Sequence, residues 1–468
     1  MPTVILIGHN FVYPIIDVLR MFYGSCSCSG ENQISAGLDT DIEIYSQLSG
    51  ECVTTWVEGS KERLPVSDLS EKLAPKREVK RQLYILLSGL LGRVYPWGSL
   101  TGIRPTVIAR EAKTAKELTD IYFVREDKAL LAIETAKNED RILNSVTPDV
   151  LCAYMGVPFC RSRCTYCSFI SQDAAAQTHL LVPYTEAIQK EIDSFFQENA
   201  PKISCLYVGG GTPTVFDDNT FRSFLENSFR SLGTDCISEI TVEAGRADTI
   251  TDHKLHTLKD LGVQRICINP QTLSDRTLVR IGRDHTTGDF YTAYNAARKI
   301  GFKTVSVDLI AGLPGESPDD FIHSLEGVFV LDPENITIHT LSIKKKASIS
   351  MDVYKTEDRK QVEELDRMLS YAHARLKEKG YLPYYLYRQK DTLGGHENTG
   401  YSRPGHECIY NVAMMSDQRS ILAFGAGSVS KRSFADERLQ RCPNVRDAKE
   451  YIRRSEEMAL RKRCFFGV

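Results

Sequence analysis

Leu151-Cys-Ala-Tyr154-Met-Gly-Val-Pro-Phe-Cys160-Arg-Ser-Arg-Cys164-Thr-Tyr166-Cys167 is an apolar run that empties into a loop of three cysteines. The first seven residues read as a buried strand, and the C-x3-C-x2-C loop that follows carries the chemistry. Three thiolates in one short loop can hold three irons of a four-iron, four-sulfur cluster, leaving the fourth iron free to bind a small molecule. Two plainer readings of the same thiols are a zinc knuckle completed by a distant ligand and small core residues. No second metal-binding hook lies nearby, and Arg161, Ser162 and Arg163 are too polar for a buried strand.

Downstream, the same unit repeats: a short apolar strand, a loop of glycine or polar residues, then an amphipathic helix. Six strands are predicted, at Leu151 to Val157, Ile203 to Val208, Ile237 to Val242, Arg265 to Asn269, Thr304 to Leu309 and Asn335 to Leu341. The helical pattern is clearest from Tyr184 to Phe196, where Ile188, Ile192 and Phe195 share a face. In Lys259-Asp-Leu-Gly-Val and Arg298-Lys-Ile-Gly-Phe, a glycine closes a helix just before the next strand. Such alternation gives an α/β fold with a parallel sheet, open or closed into a barrel, and its sites lie at the carboxyl ends of the strands. The unusual residues fall there. The cysteine loop follows strand one, Gly209-Gly210-Gly211-Thr212-Pro213 follows strand two, and Glu243 closes strand three. Gln271 follows strand four, Asp308 ends strand five, and His339 and Thr340 end strand six. Taken singly, each is an ordinary cap or turn; in order at successive strand ends, they describe one rim.

The flanks differ. Residues 1–145 read as a small α+β module of unassigned role, whose Thr101-Gly-Ile-Arg-Pro-Thr106 turn caps a helix; 146–345 form the core; 346–468 form a mixed helical and strand region long enough to cover its mouth. The chain has 468 residues, 42% hydrophobic and 25% charged, with a net charge of -3, so it carries no global attraction to nucleic acid or anionic membrane. Its start lacks the basic flank of a signal peptide, and the apolar stretch from Gln82 to Gly92 is too short to span a bilayer. A cytoplasmic protein is expected. Most of its 13 cysteines lie scattered in apolar segments, as Cys152, Cys205 and Cys267 do, which fits thiols kept reduced.

From Tyr154 to Pro314 the chain resembles the radical S-adenosylmethionine (SAM) enzymes. The residues that carry the resemblance are Tyr154-x-x-x-Pro-Phe-Cys160 with its two further cysteines, Gly209-Gly-Gly-Thr-Pro-Thr214, the strand-ending Glu243, Gln271 with Ile281-Gly-Arg-Asp-His285, and Asp308-Leu-Ile-Ala-Gly-Leu-Pro314. Together they are similar to the oxygen-independent coproporphyrinogen III oxidase (coproporphyrinogen III dehydrogenase) group. The long N-terminal module, Pro404-Gly-His-Glu-Cys-Ile-Tyr410 and Gly425-Ala-Gly-Ser-Val-Ser-Lys431 are most similar to its HemZ-type branch. The resemblance implies a partial (β/α)6 TIM-type barrel, left open at an uncovered sixth edge. It also implies a [4Fe-4S] cluster on Cys160, Cys164 and Cys167, with SAM on the open iron. Gly210, Gly211 and Thr212 would then approach the methionine end of SAM, and Glu243, Gln271, Arg283 and Asp308 would hold its polar groups. Tyr166 would lie against adenine, and Tyr154 would contact SAM and the cluster.

The implied activity is conversion of two propionates of coproporphyrinogen III to vinyl groups, giving protoporphyrinogen IX without oxygen. That activity requires an electron donor for the cluster and an electron acceptor. A substrate with four carboxylates calls for cations at the rim, for which Arg403, Lys431 and Arg432 are the candidates. Gly156 and Phe169 stand where the well-characterised branch has His and Cys, which bears on the substrate step. A related heme-binding branch carries His-Asn-x-x-Tyr-Trp, comparable to His406-Glu-Cys-Ile-Tyr410-Asn411 here. The alternatives are therefore a heme-binding insertion or trafficking protein acting through His406 or Tyr410, and a radical SAM enzyme that methylates or opens heme.

Overall fold

The computed structural model describes residues 2–24, 26–30, 32–36, 42–57, 69, 73–147, 150–167, 172–197, 201–234, 237–342, 359–389, 392–434 and 438–468. Phe169 lies outside them. Two compact units emerge, one of residues 1–134 with 354–362 and 388–396, the other of 135–353, 363–387 and 397–468. Among the described residues, no helix is long and apolar enough to cross a membrane.

The first unit carries a five-stranded sheet in the order Cys26–Gly30, Gln33–Ala36, Thr3–Ile7, Glu43–Ser49, Cys52–Val57. Helices Val12–Tyr23 and Pro75–Leu91 bury Val18, Leu19, Phe22, Leu83 and Leu87 with Val4 and Ile44 from the sheet. The turn at residues 101–106 leads into helix Pro105–Ala112, whose first position is the proline that needs no amide partner.

The second unit is the α/β core. Its elements are β1 (Leu151–Val157), α1 (Thr178–Phe195), β2 (Ile203–Gly210), α2 (Asp218–Leu232), β3 (Glu239–Glu243), α3 (Asp252–Asp260), β4 (Arg265–Cys267), α4 (Thr287–Ile300), β5 (Thr304–Ala311), α5 (Pro318–Leu331) and β6 (Asn335–Thr340). There follow α6 (Arg359–Glu378), β7 (Leu382–Arg388), β8 (Glu397–Ser402), α7 (Ile409–Ser416), β9 (Ile421–Phe424), β10 (Val429–Ser433), β11 (Leu439–Pro443) and α8 (Ala448–Phe466). β1 to β6 pair in parallel in chain order, as the repeating pattern predicts. Their two-sided burial explains why they read as near-continuous apolar runs. The predicted punctuation is present: Gly262 and Gly301 take φ of 73° and 80° just past α3 and α4, and capping boxes start α4 at Thr286/Asp289 and α5 at Ser317/Asp320.

One expectation is corrected. The sixth edge is covered, because β8 pairs antiparallel with β6 and β7 lies beyond it, while β9 pairs parallel with β1 and leads to β10 and β11. The sheet still does not close, since β7 and β11 end its order. α8 is clamped to α1 by the buried carboxylate of Glu191. This group accepts hydrogen bonds from Asn444 (2.7 Å), Tyr451 (2.6 Å) and the Gly425 amide (2.9 Å) and pairs with Lys462. The Gly425-Ala-Gly-Ser motif is thereby given a structural task. At Gly425, φ is 98°, and a Cβ would sit 2.4 Å from the Gly156 carbonyl.

On one face of the sheet, Cys152, Cys205, Tyr207, Tyr384, Tyr385, Cys408 and Tyr410 pack into one cluster. We term the loops at the carboxyl ends of the strands the mouth.

Candidate active site

The cysteine loop leaves β1 through Pro158 and is pinned by the exits of neighbouring strands. The Ser162 hydroxyl donates to the Gly282 carbonyl (3.3 Å), and the Thr165 amide donates to that of Ile281 (3.0 Å). Arg246, just past β3, donates to the Ser162 hydroxyl (2.9 Å) and carbonyl (3.2 Å), while Arg161 donates to the Asp248 carbonyl (3.1 Å). Burial works to raise the pKa of Asp248, but His285 and Arg246 hold it well below the usual carboxylate range. The clamp is therefore charged. Ile281-Gly-Arg-Asp-His285 thus grips the loop as well as presenting Arg283.

The glycine run lies directly against the loop. The Gly211 amide donates to Val157 (2.7 Å) and the Thr212 amide to Phe159 (2.8 Å), while the Thr212 hydroxyl approaches the Cys160 thiol at 3.6 Å. A Cβ on Gly211 would sit 2.5 Å from the Phe159 carbonyl and 3.0 Å from Cys160 Sγ, so only glycine permits this approach. Gly210, at φ 111°, leaves room for the Tyr154 hydroxyl, which would stand 3.2 Å from a Cβ there. The Tyr154 ring stacks with Tyr410 (5.7 Å) and Tyr207 (6.3 Å), and the latter two lie 4.7 Å apart. Burial pushes the Tyr154 hydroxyl well above its ordinary pKa.

Glu243 ends β3 facing this group. Its Oε1 accepts from the Tyr207 hydroxyl at 2.5 Å and its Oε2 from the Gly210 amide at 3.2 Å. Burial pushes its pKa up to about 7, against the pull of the Tyr207 hydrogen bond. Further along the rim, Asp308 meets His339 at 3.4 Å, and the Tyr387 hydroxyl lies 3.5 Å from the far nitrogen of that ring.

Gln271 is bridged to β5 through Asp308 and Ile310, in left-handed backbone at φ 69°. A non-glycine residue there stores strain of a kind that gathers at functional sites. Its side-chain Oε1 is buried without a hydrogen-bond partner, as are Asn269 Oδ1 and Arg283 Nε. Arg283 otherwise donates to the carbonyls of Asn269 and Gly245, and its guanidinium faces Tyr166 and Cys164. Burial drives the Tyr166 hydroxyl pKa upward, with Arg283 opposing.

Three groupings result: Cys160 with Gly211 and Thr212, Cys164 with Tyr166 and Arg283, and Tyr154 with Gly210 and Glu243; Gln271 and Asp308 are tied through their backbones. Four of the tail candidates are placed elsewhere. Lys431 is buried at the amino end of the sheet, beside Ile421, and donates to the last carbonyls of α7 and to Asp417. Arg432 donates to the Phe465 carbonyl, and Arg403, just beyond Ser402 at the foot of β6, pairs with Asp332. His406 meets Thr304, the first residue of β5, at 2.9 Å. The rim expectations for Arg403, Lys431 and Arg432 and the heme-ligand expectation for His406 are corrected, because the tail enters antiparallel and turns at the amino ends of the strands; Tyr410, the other heme-ligand candidate, stacks on Tyr154 and Tyr207. His339 is placed on the rim as its position at the end of strand six predicts, whereas Tyr207, Asn269, Arg246 and Asp248 are not singled out by the sequence as site residues. Their one signal in the sequence is position, each lying in or just past a strand, on the face or rim that already carries the motifs.

Among the described residues, no group of three or more His, Cys, Asp or Glu is gathered closely enough to hold a single metal ion, the three loop cysteines included. Three thiols on one loop, a glycine cradle against one of them and a row of unpartnered buried polar atoms beyond do fit a cluster with a polar nucleoside beside it.

The comparisons agree. The profile of the Radical SAM superfamily matches residues 154–327. An oxygen-independent coproporphyrinogen-III oxidase-like protein HemZ of Bacillus subtilis is 35% identical over 95% of this chain and 93% of its own length. The heme chaperone HemW of the same organism is 33% identical, but over 42% of this chain and 51% of its own. The solved Escherichia coli coproporphyrinogen III oxidase (HemN) aligns at 21% identity over 70% of this chain and 73% of its own, with a TM-score of 0.49. The chain therefore belongs to the radical SAM superfamily, whose cofactors are a [4Fe-4S] cluster and SAM, and within it to the family of oxygen-independent coproporphyrinogen-III oxidase-like HemZ proteins.

Proposed function

We propose that this protein oxidatively decarboxylates propionate side chains of coproporphyrinogen III, or of a related tetrapyrrole, to vinyl groups without oxygen. The observation that carries the reading is the row of unsatisfied buried atoms at Asn269, Gln271 and Arg283, set beside the cysteine loop in a chain of HemZ-type family. Each propionate would give up one hydrogen atom, carbon dioxide and one electron, so an electron acceptor belongs to the reaction. Bound together, the cluster and SAM would supply a low-potential electron and a radical able to take hydrogen from an unactivated carbon.

The chain's own residues bind and orient. The thiolates of Cys160, Cys164 and Cys167 would hold the cluster, and Gly210, Gly211 and Thr212 would admit the methionine end of SAM. Glu243, Gln271, Arg283 and Asp308 would take its amino, carboxylate and ribose groups, and Tyr166 would lie against adenine. Tyr154, whose hydroxyl reaches the glycine run from a stacked platform, would line the reacting space. The test is anaerobic turnover of reconstituted protein with SAM, reductant, an electron acceptor and coproporphyrinogen III. Vinyl product supports the reading, whereas SAM cleavage without it rejects the substrate.

A second reading, heme carriage, draws on the likeness to the heme chaperone HemW over part of the chain. It predicts stoichiometric heme binding with no porphyrinogen turnover. His406 would not supply the ligand, since it sits at the amino ends of the strands against Thr304.

A further inference from the structure

We infer that Tyr207 is a positioning residue that aims the Glu243 carboxylate at SAM, and that SAM uptake by this protein is coupled to loss of a proton from Glu243. The inference rests on Glu243 holding SAM, as proposed above, and adds a residue and a pH linkage to that reading.

The geometry is specific to this pair. Both residues lie on the same face of the sheet, on adjacent strands, and the phenol meets Oε1 at 2.5 Å while the Gly210 amide meets Oε2 at 3.2 Å. Fixed at both oxygens, the carboxylate has its direction set before any ligand arrives. Gly209 allows the approach, because a Cβ there would stand 2.8 Å from the Tyr207 ring and 2.9 Å from the Glu243 carboxyl carbon. Tyr207 is held in turn by its stack with Tyr410 and Tyr154.

The surroundings set the sign of the linkage. Asp308 from β5 disfavours a second negative charge, while His339 from β6 and the Gly210 amide favour it. The hydroxyls of Tyr154 and Tyr410 and the thiol of Cys267 also face Glu243, and each is made harder to ionise by it. Burial leaves the acid near the middle of the physiological range, with the Tyr207 hydroxyl working to keep it charged. A neutral Glu243 presents a proton where SAM offers donors. Below that range the proton must leave before SAM can be held.

The experiment measures SAM affinity of the cluster-loaded, unreduced protein between pH 5.5 and 8.5 for wild type, Tyr207→Phe and Glu243→Gln. The methionine amino group of SAM titrates equally in all three, so it cancels when affinities are expressed relative to Glu243→Gln. The wild-type ratio should fall roughly tenfold per pH unit below about pH 7 and flatten above it. Tyr207→Phe keeps the stacked ring and should move the break upward by about one unit, the size expected for one hydrogen bond to a charge. A second measurement is independent of SAM: an infrared band of protonated carboxyl that titrates near pH 7, is absent in Glu243→Gln and shifts upward in Tyr207→Phe. Absence of SAM binding in cluster-loaded wild type overturns the functional reading itself. SAM binding with a flat ratio, or the same break and band midpoint in Tyr207→Phe, overturns this inference alone.

Discussion

The two ends of the core strands are built differently. At the amino ends, buried cations face counter-charges: Arg265, though its Nε has no hydrogen-bond partner, lies 3.8 Å from Glu239 and donates to the His406 carbonyl at 2.6 Å, and Lys431 donates to two α7 carbonyls and Asp417. At the carboxyl ends, Asn269, Gln271 and Arg283 keep buried atoms without partners, and Gln271 holds strained backbone. Since an unsatisfied buried polar atom costs about 1–3 kcal/mol, the mouth carries stability deficits that a ligand can repay. Charge pairing marks one end; strained backbone and a run of unpartnered polar atoms mark the other.

That contrast can be broken first with the cysteines. Replacing Cys160, Cys164 and Cys167 by alanine should remove essentially all iron and sulfide and leave the unfolding temperature close to that of the cluster-free wild type, while Cys152→Ala and Cys205→Ala should lower that temperature and keep the iron. Metal analysis with thermal unfolding decides it, and equal iron loss from both sets would erase the distinction. Next in size is the floor pair. Arg265→Leu leaves Glu239 buried and uncompensated, and should cost about 3–5 kcal/mol in denaturant unfolding.

At the mouth the sign should reverse. The raised pKa of Glu243 means that the folded state binds more protons than the unfolded state between the ordinary glutamate value and about pH 7. Its burial therefore destabilises the fold progressively as pH rises through that window and fully above it. Glu243→Gln should raise stability at pH 8 by on the order of 2 kcal/mol, and by less at pH 5, while weakening SAM binding. Gln271→Gly should likewise stabilise, by about 1 kcal/mol from relieved backbone strain, and lower SAM affinity. Smallest is Arg403→Ala. Its half-exposed pair with Asp332 is worth roughly 0–1 kcal/mol, and tetrapyrrole affinity should not change.

The architecture of the core was legible because it is local. β1 runs from Leu151 to Val157 as its apolar run predicts, and glycines 262 and 301 mark helix ends through their own backbone freedom. The rim order was legible for the same reason, since a parallel strand always delivers its next loop to the same end. The tail was not. Nothing in residues 346–468 states that β8 and β10 enter antiparallel, so the sequence alone points Arg403, Lys431 and Arg432 to the wrong end. Tyr207 and Glu243 are 36 residues apart and meet only because β2 and β3 are neighbours, a contact that no local pattern announces. The left-handed backbone of Gln271 was also hidden, glutamine being no turn former.

The most direct measurement is electron paramagnetic resonance of the anaerobically purified, reduced protein with and without SAM. A reduced [4Fe-4S] signal that changes shape on adding SAM, and that is absent when Cys160, Cys164 and Cys167 are replaced, is the expected result. Zinc in place of iron, or a cluster signal indifferent to SAM, would contradict the account.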